Sequence, residues 1–393
     1  MKNSTVVITG LGGISAAGIN LAETLDSFSQ GKRNAGQVTL FETSLRYPVF
    51  EVNKIPDEYY LEGQRTLSLA LCAVDEALKN AKLGRDLSKY RVGVCMGTTV
   101  ASQLNDIEFY KSYRNTGSAP MTSVNRYLKG NLAEFISRRF KTRGPSLTVV
   151  NACSSGTDAI GVALSWLNNG LCDIAIAGGA DELNHIPFCG FGSLGVVSED
   201  LCAPFDRDRK GLNLGEGAGV LVIETKDSAE KRGNTSNIHL LGYGSASDAY
   251  HLTSPRPDGA GLDTSIRKAL SMSGIEPREI SFVNAHGTAT LDNDLVEGRV
   301  LGNIFGNDLY ILSTKGYTGH TLGAAGGLEA VFTAAALREG WVPASIGFKN
   351  RDESIPIIPL KEKTDIKSRY AVSTSLAFGG NNAALVFGLD LKI

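Results

Sequence analysis

The sequence predicts a layered α/β protein made of two halves of similar design. Three observations support this. Short apolar, often β-branched runs alternate with helical segments along the chain, and the alternation restarts after a polar stretch at Lys226–Ser236. The chain of 393 residues is also longer than one compact unit usually needs. We therefore expect an N-terminal domain at 1–235 and a C-terminal domain at 236–393.

The first half is expected to begin with a buried strand at Thr5–Thr9 that Gly10, Gly12 and Gly13 break. Its other predicted strands are Arg91–Met96, Leu147–Val150, Asp173–Ala177 and Gly219–Ile223, and its predicted helices are Ser68–Lys82, Asn131–Phe140 and Ser155–Asn168. The last of these helices is apolar on most sides, which indicates that it is buried.

The second half repeats the same alternation. Its predicted strands are Ile238–Leu241, Ser281–Asn284, Ile311–Ser313, Tyr370–Thr374 and Ala383–Phe387, and its predicted helices are Leu262–Ser273, Leu295–Phe305 and Gly323–Leu337. The shared alternation indicates a duplicated unit.

The bulk composition excludes several classes of protein. A net charge of −2 gives no basic field for nucleic acid, and no run of 18 or more apolar residues predicts a membrane span. The N-terminus lacks a signal-peptide pattern, so we expect a cytoplasmic protein. The six cysteines form no C-x-x-C pair, and buried reduced thiols are the simplest interpretation for all but Cys153.

A glycine-rich segment near the N-terminus invites a dinucleotide-binding interpretation. The G-x-G-x-x-G pattern is incomplete, however, because Ser15 stands at its third glycine. We favour a tight turn in a packed α/β unit.

The strongest chemical signal is the segment Asn151–Gly156, where a strand delivers Cys153 to the start of a buried helix. A helix N-terminus favours a thiolate over a thiol, and its free N–H groups can stabilise an oxyanion. From this segment alone, a catalytic thiol and an inert buried cysteine are about equally supported.

Two histidines and a glycine-rich turn complete the set. His286 follows a strand, His320 lies in a glycine-rich turn before a helix, and Ala377–Asn382 forms a turn between two strands. A thiolate that holds an acyl group and two imidazoles that stabilise an enolate would suit a carbon–carbon condensation. The competing interpretation, a zinc site, finds no matching ligand spacing.

These segments resemble the chain-elongating β-ketoacyl synthases, and the resemblance runs nearly from end to end. Further landmarks are the N-terminal VVITGLGGISAAG, Arg143-Gly144-Pro145, and the segments Ala203–Gly219, Ala249–Gly261 and Gly319–Ala330. The resemblance implies the thiolase fold, with two duplicated βαβαβ-type halves in five layers, α-β-α-β-α.

The resemblance also implies a mechanism. Cys153 would receive an acyl chain from an acyl carrier protein, and His286 and His320 would bind the malonyl thioester and promote decarboxylation. The backbone N–H groups of Cys153 and Phe378 would form the oxyanion hole. No cofactor is expected beyond the phosphopantetheine that carries the substrates.

Further roles follow from the same resemblance. Lys315 would support the histidines, Glu329 would organise the site, and Thr288 and Thr290 would bind the phosphopantetheine arm. The residues expected to frame a structural cation are Asn284, Glu329, Ser373 and Asn382. A homodimer, or a heterodimer with a chain-length-factor-like homologue, is expected.

Some residues depart from the family pattern. Asp158 stands where fatty-acid enzymes usually have histidine, and Thr290–Asp294 is also unusual. Both features favour type II polyketide or aryl-polyene pathways, although fatty-acid synthesis stays open. Ala377 replaces a glycine of the closing turn, which restricts its backbone. The segment Asp57–Gln64 is acidic, so carrier docking is expected to use Arg65, Arg126, Lys129 or a partner's surface.

Two other function classes remain as alternatives. A non-catalytic scaffold subunit could pair with a catalytic homologue and set its chain length, although such subunits usually lack the cysteine. A Cys–His hydrolase would need a local protease signature, which the sequence does not show. Degradative thiolases carry a second catalytic cysteine near the C-terminus, whereas no cysteine follows Cys202.

Overall fold

Strands and helices alternate in both parts of the chain, as predicted. The computed structural model describes residues 5–99, 101, 107–129, 131–306, 309–366 and 369–390, apart from the side chains of residues 123, 126, 127 and 129. Its strands are β1 (Val6–Ser15), β2 (Val92–Gly97), β3 (Ser146–Val149), β4 (Ile174–Asp181), β5 (Gly217–Thr225), β6 (Ile238–Ser247), β7 (Ile280–Asn284), β8 (Tyr310–Leu312), β9 (Trp341–Val342), β10 (Thr364–Asp365), β11 (Tyr370–Ala377) and β12 (Asn381–Leu389).

The α-helices are α1 (Leu21–Ser29), α2 (Arg65–Asn80), α3 (Ile107–Thr116), α4 (Thr122–Lys129), α5 (Leu132–Arg139), α6 (Ser155–Asn168), α7 (His185–Ser193), α8 (Lys226–Lys231), α9 (Ala260–Ser273), α10 (Leu291–Phe305), α11 (Lys315–Thr318) and α12 (Ala325–Glu339). Short 3-10 turns lie at Asp57–Tyr59, Pro277–Glu279 and Leu322–Ala324.

The strand order shows the duplication. Ten strands follow the order β3-β2-β4-β5-β1-β6-β12-β11-β7-β8, and β1 meets β6 at the pair Val7–His239. Read outward from this junction, the strands of the two halves correspond one to one: β1-β5-β4-β2-β3 in the first half and β6-β12-β11-β7-β8 in the second. In each half the three outer strands are parallel to one another, and the two inner strand pairs are antiparallel. The predicted boundary between residues 235 and 236 stays a prediction.

Helices cover both faces of the two half-sheets and complete the expected five layers. Helices α6 and α12 contact strands of both halves and form the central layer, while α2 and α5 lie outside the first half-sheet and α9 outside the second. Strands β1, β2 and β4 are buried along their whole length because helices cover both of their faces. Within the described ranges, no helix is long and apolar enough to cross a bilayer.

Strand β1 corrects one prediction. The glycines that were expected to break it lie inside a continuous strand that ends at Ser15. A Cβ atom on Gly10 would lie 2.1 Å from the carbonyl oxygen of Ala77, and one on Gly12 would lie 2.0 Å from that of Ala73. Glycine is therefore needed so that α2 can pack directly on the strand, and the segment is neither a turn nor a phosphate-binding loop.

Other short helices were missed because their sequences carry weak helical signals. Helix α7 contains Gly190 and Gly192, which favour irregular backbone. The polar stretch Lys226–Ser236, after which the predicted alternation restarts, begins with α8. The N-cap of α8 is Thr225, whose side chain accepts a hydrogen bond from the N–H of Ser228.

The central helices approach each other at glycines. A Cβ atom on Gly156 of α6 would lie 2.6 Å from the backbone nitrogen of Gly327 in α12. The absence of side chains at both positions lets the two backbones touch. This contact holds the start of α6, just after Cys153, against the segment that follows His320.

Candidate active site

Cys153 lies in a sharp turn between β3 and α6. The preceding residue, Ala152, has a φ of 48°, in the left-handed region that a residue with a Cβ rarely adopts. Two serine hydroxyls fasten this turn. Ser155 Oγ donates to the carbonyl of Ala152 at 2.6 Å, and Ser154 Oγ lies 2.9 Å from the carbonyl oxygen of Asn151 and directs its one proton to Asp158 Oδ2 at 2.8 Å. The turn directs the thiol into the protein, where Cys153 is 4% exposed.

The electrostatic environment of the thiol has opposing contributions. Burial is the largest influence and raises the pKa of Cys153 to about 11. The positive charge of Lys315 and a hydrogen bond from the backbone N–H of Phe378 act in the opposite direction. The resting group is therefore a thiol near neutral pH, with a donor and a cation in place to stabilise negative charge.

Both predicted histidines lie beside this thiol. His320 Nε2 is 3.1 Å from Cys153 Sγ, and the His286 and His320 rings are perpendicular with centroids 5.3 Å apart. Burial is the main cause that lowers the pKa of both imidazoles well below 6.5, and Lys315 adds to it. Both rings are therefore neutral near pH 7 and can donate or accept a hydrogen bond.

The backbone around His320 is fixed by a neighbouring segment. The His320 N–H donates to the carbonyl of Asn213 at 2.8 Å, and the His320 carbonyl accepts from the N–H of Gly215 at 3.0 Å. Asn213 is itself anchored, because its side-chain oxygen accepts the N–H of Cys202 at 2.7 Å. The landmark segment Ala203–Gly219 thus helps to position this imidazole.

Lys315 and Glu329 form a buried pair next to His286. Lys315 Nζ lies 3.0 Å from His286 Nδ1 and 2.6 Å from the His286 carbonyl oxygen, and it also donates to Glu329 Oε1. An ammonium has no acceptor capacity, so Nδ1 accepts and the ring proton resides on Nε2. Burial is the largest influence on Glu329 and raises the pKa of its carboxyl to about 7, against the opposing effect of Lys315.

The comparisons with known proteins agree with this geometry. Residues 3–229 match the N-terminal domain of beta-ketoacyl synthases, and residues 238–349 match the C-terminal domain. The chain belongs to the β-ketoacyl synthase family. The thiolase-like fold expected from the sequence is thereby confirmed, and the chain is an acyltransferase of the carbon–carbon condensing kind.

Individual relatives cover this β-ketoacyl synthase almost completely. The 3-oxoacyl-[acyl-carrier-protein] synthase 2 of Staphylococcus aureus strain N315 is 34% identical over 409 residues, with 98% of both chains covered. The ishigamide ketosynthase/chain length factor has a TM-score of 0.93 at 31% identity and covers 99% of this chain and 100% of its own. A ketosynthase in complex with its chain length factor from Xenorhabdus doucetiae has a TM-score of 0.84 at 31% identity, with 98% of each chain covered.

The glycine-rich turn of this synthase brings Phe378 to the thiol. Gly379 and Gly380 adopt the positive φ values of the turn, 86° and 81°, whereas Ala377 ends strand β11 in ordinary backbone. The turn therefore does not require a glycine at position 377 in this conformation. The ring of Phe378 stacks on that of Phe191 at a centroid distance of 5.3 Å and an interplanar angle of 16°.

Phe191 is a residue that the sequence did not single out. It lies in α7, lines the cavity that contains the thiol, and contacts the His320 ring edge-on at 6.4 Å between centroids. The sequence feature that could have pointed to Phe191 is an aromatic residue within a glycine-rich apolar segment. Such segments also occur in ordinary turns, so this feature alone did not indicate a site residue.

Glu297 was also missed, although it holds the backbone of His286. Its carboxylate accepts the N–H groups of His286 and Gly287, each at 2.8 Å, and the hydroxyl of Thr374 at 2.8 Å. Burial raises the pKa of Glu297 to about 7 against these donors. The sequence feature that could have pointed to Glu297 is a pair of carboxylates three residues apart on one helix. The other member of the pair, Asp294, likewise holds backbone, because it accepts the N–H of Ala289 at 3.1 Å.

The predicted substrate-binding threonines lie at the wall of the same cavity. Their hydroxyl oxygens are 2.9 Å apart. The cavity is lined by the thiol and both imidazoles together with Thr288 and Thr290, and its lining also includes Lys210, Asp248 and Asp292. The structure therefore brings the predicted thiol, imidazoles and threonines together in one cavity.

Three of the four residues predicted to frame a cation come together. Asn284 and Ser373 are neighbours across β7 and β11, and Asn284 Nδ2 donates to the backbone carbonyl of Glu329 at 3.3 Å. Asn284 Oδ1, Ser373 Oγ and Glu329 Oε2 are buried without a hydrogen-bond partner among the described residues. Asn382 is not part of this group: Ser373 pairs with Leu385 of β12, whereas Asn382 pairs with Leu376 and so faces the other side of the sheet. Its amide nitrogen donates to Asp248 Oδ1 at 2.9 Å beside the cavity.

The predicted docking residues give a mixed result. Arg65 pairs with the buried carboxylate of Glu216 through two hydrogen bonds of 2.7 and 2.5 Å. Its charge is thus compensated within the chain, which argues against a role in binding an acidic carrier. The side chains of Arg126 and Lys129 lie outside the part of the chain that is described.

Proposed function

We propose that this chain catalyses a decarboxylative Claisen condensation between an acyl chain on Cys153 and a malonyl group on an acyl carrier protein. The observation that carries this proposal is the convergence of one thiol and two neutral imidazoles, with His320 Nε2 3.1 Å from Cys153 Sγ. The related 3-oxoacyl-[acyl-carrier-protein] synthase 2 supports a carrier-bound substrate.

In the first half-reaction, Cys153 attacks the carbonyl carbon of an acyl thioester. His320 Nε2 accepts the thiol proton, which departs with the sulfur of the carrier's phosphopantetheine arm. The oxyanion of the tetrahedral intermediate would accept hydrogen bonds from the N–H groups of Cys153 and Phe378. The hydrogen bond from the Phe378 N–H to the sulfur in the resting site supports this role.

In the second half-reaction, the malonyl thioester loses carbon dioxide and its carbonyl becomes an enolate. His286, which is protonated on Nε2, would donate a hydrogen bond to that oxygen. His320 would do the same as its Nε2–H tautomer, which is available once Cys153 is acylated and no longer needs a base. The enolate carbon then attacks the Cys153 thioester. The carbon–sulfur bond to the enzyme breaks and the β-ketoacyl product leaves on the carrier. Cys153 departs as a thiolate, and it regains its thiol by taking up one proton from solvent.

The surrounding residues would support this chemistry. Lys315 fixes the His286 tautomer, Glu329 balances the lysine charge, and Thr288 and Thr290 would bind the phosphopantetheine arm. The unpartnered oxygens of Asn284, Ser373 and Glu329 fit a structural cation, since hard cations prefer oxygen ligands. In this proposal the cation stabilises the fold beside the site and takes no part in the reaction.

The proposal is tested with purified protein, acyl-carrier thioesters and malonyl-carrier protein. Intact-protein mass spectrometry should show one acyl group on Cys153, followed by release of carbon dioxide and a β-ketoacyl product. Cys153→Ala should take no acyl group, whereas Cys95→Ala, which alters a buried thiol outside the site, should react normally. Full condensation by Cys153→Ala would refute the proposal.

A scaffold role is the second candidate, because two of the structural relatives are described together with chain length factors. We also propose a type II polyketide or aryl-polyene pathway in preference to fatty-acid synthesis, on the basis of Asp158 and the unusual stretch Thr290–Asp294. The scaffold role predicts that Cys153 stays unmodified by acyl thioesters in the presence of a catalytic homologue.

A homodimer or a heterodimer with such a homologue is proposed. Strand β3 lies at the edge of the sheet, where Leu147 and Val150 are 44% and 67% exposed. Tyr110 and Tyr113 of α3 are also exposed. Open strand edges and exposed apolar side chains are features of surfaces that pair with another chain. Native mass spectrometry with and without a co-expressed homologue distinguishes the two assemblies.

A further inference from the structure

Asp158 is a buried carboxylate in the first turn of α6 that the proposed mechanism does not use. It is 5% exposed and accepts three hydrogen bonds. The donors are Asn151 Nδ2 at 2.5 Å, Ser154 Oγ at 2.8 Å and the hydroxyl of Tyr243 at 2.8 Å. The first two donors bind Oδ2 and the third binds Oδ1, so both carboxylate oxygens are engaged.

Two of these donors flank the nucleophile. Asn151 lies immediately before the pair Ala152-Cys153, and Ser154 lies immediately after it. The carboxylate of Asp158 therefore closes a bridge across the turn whose left-handed residue is Ala152. A strained turn persists where surrounding contacts determine its geometry, and this bridge is one of them.

The third donor connects the turn to the other half of the protein. Tyr243 lies in β6, within the half that also carries His286 and His320. Its ring packs against Gly161 of α6, where a Cβ atom would lie 2.5 Å from the ring carbons. The glycine thus makes room for the aromatic ring that places the hydroxyl on Asp158.

We infer that Asp158 is a positioning residue that holds Cys153 in register with His320 and the Phe378 N–H; this inference deepens the proposed function and rests on it. The carboxylate acts through Asn151 and Ser154 and touches neither substrate nor the sulfur. Its contribution is one of geometry, because its hydrogen bonds hold Asn151 and Ser154 on either side of the pair Ala152-Cys153 and connect this turn to Tyr243.

Two substitutions separate geometry from charge. In Asp158→Asn, the amide oxygen can still accept from Asn151 and Ser154, while the amide nitrogen donates to the Tyr243 hydroxyl, which can accept. All three contacts survive although the charge is lost. Asp158→Ala removes all three contacts and frees the turn.

The experiment measures the alkylation of Cys153 by iodoacetamide and its acylation by an acyl-carrier thioester, both by mass spectrometry. Asp158→Ala should slow both reactions by roughly 10- to 100-fold, since a displacement of about 1 Å has effects of this size. Asp158→Asn should react close to the wild-type rate. Decarboxylation of malonyl-carrier protein without an acyl donor, and the KM for it, should change little because they depend on the histidines.

Asp75→Ala provides a matched control. Asp75 is also buried and accepts a tyrosine hydroxyl, that of Tyr59 at 2.6 Å, but it lies in α2 away from the nucleophile. The Asp75→Ala variant should be less stable than the wild type, but its Cys153 should be alkylated at the wild-type rate. Equal slowing in the Asp75→Ala and Asp158→Ala variants would show a general structural effect and overturn the inference.

Other outcomes are equally decisive. Wild-type alkylation rates in Asp158→Ala, or equal slowing in Asp158→Asn and Asp158→Ala, would each refute a geometric role. If wild-type protein accepts no acyl thioester, the proposed function fails. The alkylation rates then still decide whether Asp158 positions the thiol.

Discussion

His320 Nε2 lies 3.1 Å from Cys153 Sγ although 167 residues separate them in the chain. The contact depends on the central layer, where Gly156 of α6 meets Gly327 of α12 without intervening side chains. The two reactive groups precede these helices, so the packing of the helices sets the distance between the groups. Changes in this packing should therefore affect the chemistry as well as the stability.

Gly156→Ala is expected to destabilise the fold by about 2 kcal/mol or more, because overpacking a close backbone contact forces the helices apart. The condensation rate should fall as well. Gly84→Ala is the control, since no atom lies within 4 Å of a Cβ at that position. Urea denaturation measures both variants, and similar stabilities for the two would contradict the prediction.

Lys315→Met is expected to cost about 3 kcal/mol or more of stability and nearly all condensation activity. The substitution leaves the buried Glu329 carboxylate without its cation, and breaking a buried ion pair typically costs this much. It also removes the donor that fixes the His286 tautomer.

The double variant Lys315→Met/Glu329→Gln separates these two effects. It contains no unpaired buried charge, so denaturation experiments should show recovered stability, while the condensation rate should stay low. Recovery of both properties would mean that Lys315 has only a structural role.

The neutral histidines give a testable dependence of stability on pH. Because the folded-state pKa of each imidazole is well below 6.5, protons bind the unfolded chain preferentially as the pH falls below 6.5. The free energy of unfolding therefore decreases on acidification, by up to about 1.4 kcal/mol per pH unit for each histidine. The stabilising contribution is fully present above pH 6.5.

Between pH 7.5 and 5.5, the free energy of unfolding of His320→Asn should fall by about 1 kcal/mol less than that of the wild type, as measured by urea denaturation. Glu297 and Glu329, whose pKa values are raised to about 7, act in the opposite direction but are present in both proteins. Parallel pH profiles for the two proteins would show that folding does not change the pKa of His320, and would contradict the prediction.

Phe191→Ala is expected to slow acylation of Cys153 by about five- to tenfold. The stack with Phe378 contributes roughly 1 kcal/mol, and its loss frees the turn whose N–H faces the thiol. Single-turnover acylation is the measurement. Phe109→Ala is the control, because its parallel contact with Tyr113 lies in α3 outside the site. An unchanged acylation rate in Phe191→Ala would show that Phe378 holds its position alone.

Much of the fold followed from local patterns. Helix α6 was predicted with its observed bounds, because a long apolar run with helical periodicity leaves little choice. The glycines of β1 were misinterpreted because local sequence does not reveal that α2 packs against them at backbone distance. The weak helical signals of α7 also hid Phe191.

The sequence by itself determined the duplicated α/β alternation and marked Cys153, His286 and His320 as candidates, since each depends on residue type and spacing within one segment. The resemblance to β-ketoacyl synthases supplied their expected roles. The tertiary structure decided how these segments meet. It placed Glu297 on the backbone of His286, Phe191 on Phe378, and Asp158 between the two halves, and it separated Asn382 from the other three predicted cation ligands. These contacts join residues far apart in the chain, so only the packing of the layers could bring them together.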